Sequence, residues 1–374
     1  MKTKFKFLFI ILVLTLCFSL SLKASDFNFY GFLKLNTAYD SGYSYPGNFV
    51  LFEKDPGFTK NLFYISANES RFGMNISGNK VGDFNLSGKV EIDFMGGGAE
   101  NKAHIIMRHA YLKLKKDNFT IIAGQTWDII SPLNPVSLNY SVMWMAGNIG
   151  YRRAQLRMED TMKIGNNDLK IQAGIFRTIG GDFDLNGIDD GVSSGTPTIQ
   201  GRVSTTFNIL ESSVLQIGIS GHYGKDKSYF NKEGKSWTTN SINFDFLLKI
   251  SETYKIMGEF FSGKNLGSFL GGIGQTVNLA KQVEIGSKGG FIDLVFTPTK
   301  ELTISGGYGV DTPNEDDLSV GNKSKNSVIF GNIILFLNKA LKIGVELDRW
   351  KTEYFKQDSF SSTRFQFSIY YIFK

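Results

Sequence analysis

The sequence predicts an all-β protein, a closed antiparallel transmembrane β-barrel of sixteen strands, on three observations. The chain ends on Ser361 to Lys374 (SSTRFQFSIYYIFK), where Phe365, Phe367, Ile369, Tyr371 and Phe373 share one parity and Arg364, Gln366, Ser368 and Tyr370 the other. Side chains alternate between faces along a strand, so one face is an apolar aromatic band and the other mostly polar. Segments with this alternation recur along the chain, joined by connections that are short and long in strict turn. At the other end Lys2, Lys4 and Lys6 precede an apolar run from Phe7 to Leu22 and a small Ala24. That is the order of a cleavable secretory signal peptide, expected to span 1–24.

The only cysteine, Cys17, falls inside that leader. Residues 25–374 are therefore expected to hold neither a disulfide nor a cysteine-ligated metal. Loss of Lys2, Lys4, Lys6 and Lys23 with the leader takes the formal charge from +6 to +2, which gives nucleic acid nothing to bind. Beyond the leader no apolar run reaches the roughly 20 residues of a spanning helix.

Alternation places strands near 27–39, 70–78, 84–95, 104–115, 118–125, 150–159, 168–177, 197–207, 213–223, 237–250, 253–263, 286–296, 300–311, 325–337, 341–353 and 361–373. The connections at 79–83, 116–117, 162–167, 208–212, 251–252, 297–299 and 338–340 are short and polar or turn-forming. Those at 40–69, 96–103, 126–149, 178–196, 224–236, 264–285, 312–324 and 354–360 are longer. A soluble sandwich has no reason to sort its loops by side. An outer-membrane barrel has short periplasmic turns, long extracellular loops and an even strand count, and closure pairs every backbone group, as lipid demands. The expectation is one domain, 25–374, in the outer membrane of a Gram-negative bacterium.

Parity divides lipid from lumen. Phe84, Leu86, Val90, Ile92 and Phe94 oppose Lys89, Glu91 and Asp93; Leu341, Ile343, Val345 and Leu347 oppose Lys342, Glu346 and Asp348. Charges of both signs on the inner face need water or partners, and sixteen strands are wide enough to leave an aqueous channel. Among inward positions the arginines stand out: Arg71, Arg153, Arg157 and Arg202 each oppose apolar neighbours. Arg108 conflicts with the parity of His109, Tyr111 and Lys113. An arginine in the lipid midplane costs about 2–4 kcal/mol, so Arg108 is turned inward and Lys113 sent to the periplasmic interface. These arginines either brace the wall by pairing with Glu91, Asp93 or Glu159, or form a cationic strip that guides anions.

Loop 126–149 carries one charge, Asp128, with Trp127, Tyr140, Met143, Trp144 and Met145. A loop this apolar is expected to be packed, either folded into the barrel as a constriction or latched over the rim or a neighbouring subunit. Residues 182–190 (DFDLNGIDD) set Asp182, Asp184, Asn186 and Asp190 at the spacing of a calcium loop, but Ser193 stands where such loops place Glu. A solvated acidic loop is the alternative.

Gly124-Gln125-Thr126-Trp127, Arg153-Ala154-Gln155-Leu156-Arg157 and the run Gly307 to Leu318 (GYGVDTPNEDDL) resemble the DcaP-like porins. That resemblance implies a sixteen-stranded homotrimeric outer-membrane channel with an arginine-rich constriction and a leaning toward dicarboxylates and other anions. No counterpart of the N-terminal coiled coil of some members is expected here. Outward Gly, Ala, Phe and Ile on the first five strands suit packing against another barrel. Only His104, His109 and His222 offer imidazole bases, in separate strands and without a nucleophile motif, so no enzyme is expected. An adhesin or structural barrel without an open channel is the rival function.

Overall fold

The structure is a computed structural model that describes residues 25–97, 103–210, 212–230 and 233–374. The predicted leader lies outside the described residues. Sixteen antiparallel strands close into a barrel: β1 (Asp26–Asp40), β2 (Arg71–Val81), β3 (Phe84–Asp93), β4 (Ile106–Lys116), β5 (Phe119–Trp127), β6 (Arg152–Ile164), β7 (Asn167–Phe176), β8 (Thr198–Leu210), β9 (Ser213–Phe230), β10 (Glu233–Lys249), β11 (Tyr254–Lys264), β12 (Gly286–Phe296), β13 (Leu302–Pro313), β14 (Lys323–Phe336), β15 (Leu341–Tyr354) and β16 (Phe360–Phe373). Each pairs with its sequence neighbour, and β1 closes on β16 from Gly31↔Phe373 to Asp40↔Arg364. A separate segment, Leu62–Ser66, continues the place of β2 in the sheet by pairing with the far end of β1.

The alternation holds in space. Phe29, Leu33, Ile219, Ile242, Phe365 and Tyr371 are exposed on the outer wall, whereas Lys34, Asn36, Arg364, Gln366 and Ser368 are buried inside. Among the described residues no helix is long and apolar enough to cross a membrane, and in this chain the strands carry the apolar band.

The structure departs from the sequence expectations in two places. Residues 224–230 and 233–236 are strand and not loop: β9 and β10 stay paired as far as Phe230↔Glu233. Their outer ends alternate Lys225, Lys227 and Tyr229 with Asp226 and Ser228. Polar residues on both faces read as loop, but a hairpin standing clear of an apolar layer needs no apolar face. Arg108 and Lys113 need not compete either. Glu91 pairs with His109 and Ile92 with Met107, leaving Arg108 as the extra residue of a β-bulge. The bulge turns Arg108 into the lumen without reversing His109, Tyr111 and Lys113, so Lys113 lines the inner wall instead of reaching the interface.

Candidate functional site

The connection from Asp128 to Tyr151 crosses the lumen, and carboxylates of the wall hold it there. Glu259 on β11 accepts the Leu133 N–H (2.6 Å) and the Ser131 hydroxyl. Asp293 on β12 accepts the Val136 N–H (2.7 Å). Glu346 on β15 accepts the N–H groups of Leu138 (2.6 Å) and Asn139 (2.9 Å) and the Ser137 hydroxyl (2.9 Å). Carbonyls of the same segment accept from Asn332, Gln366 and Lys34. A loop without regular structure has to place its backbone polar groups somewhere, and inward acids and amides take the role of a neighbouring strand. Its apolar residues account for the rest of the fit: Met143 and Ala146 pack against Phe291, Val328, Phe330 and Trp350.

Two further loops fold inward, which their composition did not foretell. In 265–285 Leu266, Phe269 and Ile273 are fully buried. The carbonyls of Phe269 and Leu270 accept the N–H groups of Gly150 (2.7 Å) and Met145 (2.8 Å), so this loop lies on the crossing segment. The hairpin Tyr43–Pro46 with Val50–Lys54 brings Val50 onto Met143, while the Glu53 N–H donates to Thr352 (2.8 Å).

The space left beside the crossing segment is a cavity of about 350 Å³ against β1, β2, β4, β15 and β16. Phe32, Lys34, Arg71, Arg108, Lys342 and Tyr370 line the wall side, and Asn134 to Trp144 supply the loop side. Lys342, Tyr370 and Lys34 are register partners across three strands, and both ammonium groups lie over the Tyr370 ring, at 3.8 and 4.9 Å. Arg71 lies over Phe32 at 5.1 Å.

The six residues singled out from sequence part into three groups. Arg108 is buried between Glu91 (2.8 Å) and Asp93 (2.7 Å) and also donates to the Tyr140 hydroxyl (3.1 Å). Arg71 stays about a quarter exposed and meets the same two acids only at 3.7 and 4.0 Å. These two border the cavity. Arg153 and Asp128 form a closed pair elsewhere, 2.9 Å apart and almost wholly buried, with Gln200 and the Tyr151 N–H also donating to the carboxylate. Burial pushes the Asp128 carboxyl above its ordinary value, against the opposing pull of Arg153. Arg202 forks onto Asp245 at 2.6 and 2.9 Å. Breaking such a buried pair costs about 3–5 kcal/mol, which is the energetics of a brace. Arg157 holds Glu159 at 2.8 Å and the Trp127 carbonyl at 3.0 Å, between the cavity and the short-turn end.

Sequence reasoning did not single out four other cations. Lys34 pairs with Glu69, and Arg364 with Asp40 (3.0 Å). Lys342 has no carboxylate partner among the described residues. Arg152 holds outward parity on β6 yet is buried between the rings of Trp127 (4.8 Å) and Tyr151 (5.1 Å). A guanidinium stacked on an aromatic face is attracted by the ring quadrupole, which offsets part of its desolvation.

In the acidic loop Asp182 accepts the N–H groups of Asn186 (3.0 Å) and Gly187 (3.1 Å), Asp184 that of Tyr229 (2.6 Å), and Asp190 that of Phe183 (3.0 Å) and the Ser228 hydroxyl (2.9 Å). Asn186 accepts from Ile188 (2.7 Å). The oxygens of all four side chains thus already order the loop through hydrogen bonds. Among the described residues no three His, Cys, Asp or Glu side chains converge. His109 bonds Thr126 (3.0 Å), and His222 bonds Ser241 (2.7 Å) and Thr239 (2.9 Å) under the Phe269 ring.

No protein-family model matches the sequence, and no curated protein matches it either. Solved structures do. The outer membrane channel DcaP of Acinetobacter baumannii superposes with a TM-score of 0.78 over 94% of this chain and 99% of that one, at 19% identity. OprB of Pseudomonas putida gives 0.62 over 93% and 94% at 11% identity. An anion-selective porin from Comamonas acidovorans gives 0.59 over 94% and 100% at 12%. At these identities the likeness is one of fold: the chain is a sixteen-stranded porin-type barrel, of the same architecture as DcaP.

Proposed function

We propose that the protein is an outer-membrane channel of a Gram-negative bacterium, a homotrimer that passes small hydrophilic solutes and favours anions, dicarboxylates among them. The observation that carries this is where the lumen's acids are spent. Glu259, Asp293 and Glu346 hold the crossing loop, Asp245 and Asp128 are closed onto Arg202 and Arg153, and Glu91 and Asp93 face Arg108. Around the cavity Lys34 is closed onto Glu69 and Arg108 onto Glu91 and Asp93, which leaves Arg71, 3.7 Å or more from its acids, and Lys342 as the lining cations without a close carboxylate among the described residues. The constriction is thus left cationic, because the acids just named serve other bonds. Low-dielectric walls focus such a field, and guanidinium and ammonium groups spaced along a path attract an anion without trapping it. The anion selectivity of the Comamonas porin and the trimeric form of a Vibrio cholerae outer membrane protein of the same fold are consistent with this.

Planar-bilayer recording tests it. Insertion events are expected to be stable and to close in three equal substeps. A protein that inserts and passes no current would instead be a plugged barrel, suited to adhesion or structure.

A further inference from the structure

Below the constriction, toward the short turns, a second cavity of about 520 Å³ opens against β4 to β7. The bulge at Arg108 sets its chemistry, because from His109 onward β4 turns Tyr111, Lys113 and Lys115 inward. Cross-strand register places them in rows. Ser87, Lys113, Ile122 and Arg157 form one; Asn85, Lys115, Thr120 and Glu159 form the next toward the turns. The acids of this wall are partnered: Glu159 lies between Arg157 (2.8 Å) and Lys170 (2.9 Å), and Asp168 meets Lys163 (2.7 Å). Lys113 and Lys115 have no carboxylate partner among the described residues, and Asp117 in the adjoining turn is the one lining acid left to oppose them.

We infer that this cavity is an anion-concentrating vestibule at the periplasmic mouth, with Lys113 and Lys115 carrying its uncompensated charge, and that it makes the channel rectify. The inference rests on the barrel being an open channel. Fixed charge at one mouth enriches small anions there, and the mouth then supplies current more readily in one direction. Salt screens the effect: the Debye length falls from about 10 Å at about 0.1 M to about 3 Å at about 1 M. Both lysines face water in a wide cavity, so glutamine at either position leaves the wall intact.

The test is the current–voltage curve of single channels in potassium chloride for the wild type and K113Q/K115Q. The wild type is expected to pass about twofold more current at one polarity near 0.1 M and to be symmetric near 1 M. K113Q/K115Q is expected to be symmetric at both, with its conductance at high salt unchanged. A conducting variant that rectifies like the wild type overturns the inference and leaves the channel standing. A wild type that passes no current overturns both.

Discussion

Replacing Arg71 and Lys342 together with glutamine is expected to slow entry of a dicarboxylate by about an order of magnitude or more. A unit charge 4 Å from an anion contributes about 1 kcal/mol even in water-like surroundings, about a fivefold change in local anion concentration, and two charges are removed. Both side chains border the constriction. Arg71 makes only long contacts with Glu91 and Asp93, and Lys342 pairs with no carboxylate among the described residues, so neither removal breaks a close ion pair. Liposome swelling in succinate, measured beside swelling in a neutral sugar of similar size, separates charge from width. The sugar rate is expected to stay the same. Equal slowing of both solutes would show that the pair acts by filling space. Arg153→Ala and Arg202→Ala are expected to leave the ratio of the two rates alone, because those arginines are closed onto Asp128 and Asp245.

The second large effect is expected from Glu346→Ala. This one carboxylate accepts from the backbone of Leu138 and Asn139 and from the side chains of Ser137 and Asn332. Each buried donor left without a partner costs about 1–3 kcal/mol. The buried N–H groups of Leu138 and Asn139 lose their acceptor together, with the Ser137 and Asn332 bonds besides, and this outweighs the packing of a segment that has no regular structure of its own. The crossing loop is expected to leave the wall at that point, so that single-channel conductance rises, the trace becomes noisy and discrimination between anions and cations falls. The barrel itself is held by strand pairing, so the variant is expected to show the same heat-modifiable mobility on gels as the wild type. Glu346→Gln keeps one acceptor oxygen and is expected to fall between. Unchanged conductance and noise in the alanine variant would mean that the contacts of Met143 and Ala146 hold the loop without the latch.

The wall of this barrel was legible in the sequence because lipid and water impose period two on every strand. Parity placed Phe365 and Tyr371 outside and Arg364 and Gln366 inside, and each predicted strand has its counterpart. It failed where the two solvents do not differ across the wall, as in the outer ends of β9 and β10, and at the bulge, where Arg108 and His109 both turn inward. The inward loop 126–149 announced itself through apolar residues that water would not tolerate. Loop 265–285 is rich in glycine and gave no such sign, although Phe269 and Ile273 are as deeply buried.

Parity also reported direction without depth. It set Arg71, Arg153 and Arg202 on one face, but whether an inward arginine meets solute or a carboxylate depends on cross-strand register and on where loops land. Arg202 finds Asp245 two strands away, and Arg153 finds Asp128 at the root of the crossing loop. Lys34 and Lys342 gained their place at the constriction through their shared row with Tyr370, which no single strand displays. Arg152 reversed its parity by stacking on Trp127 where β6 leaves the wall.

Whether the acids bonded to the crossing loop and to arginines leave a cationic passage is read most directly from the reversal potential of the wild-type channel across a potassium chloride gradient. The expected sign is that of a chloride-preferring pore, strongest at low salt and weakening as salt rises. A potential of the opposite sign, held at low salt, would mean that the acids of the wall govern the passage, and would contradict it.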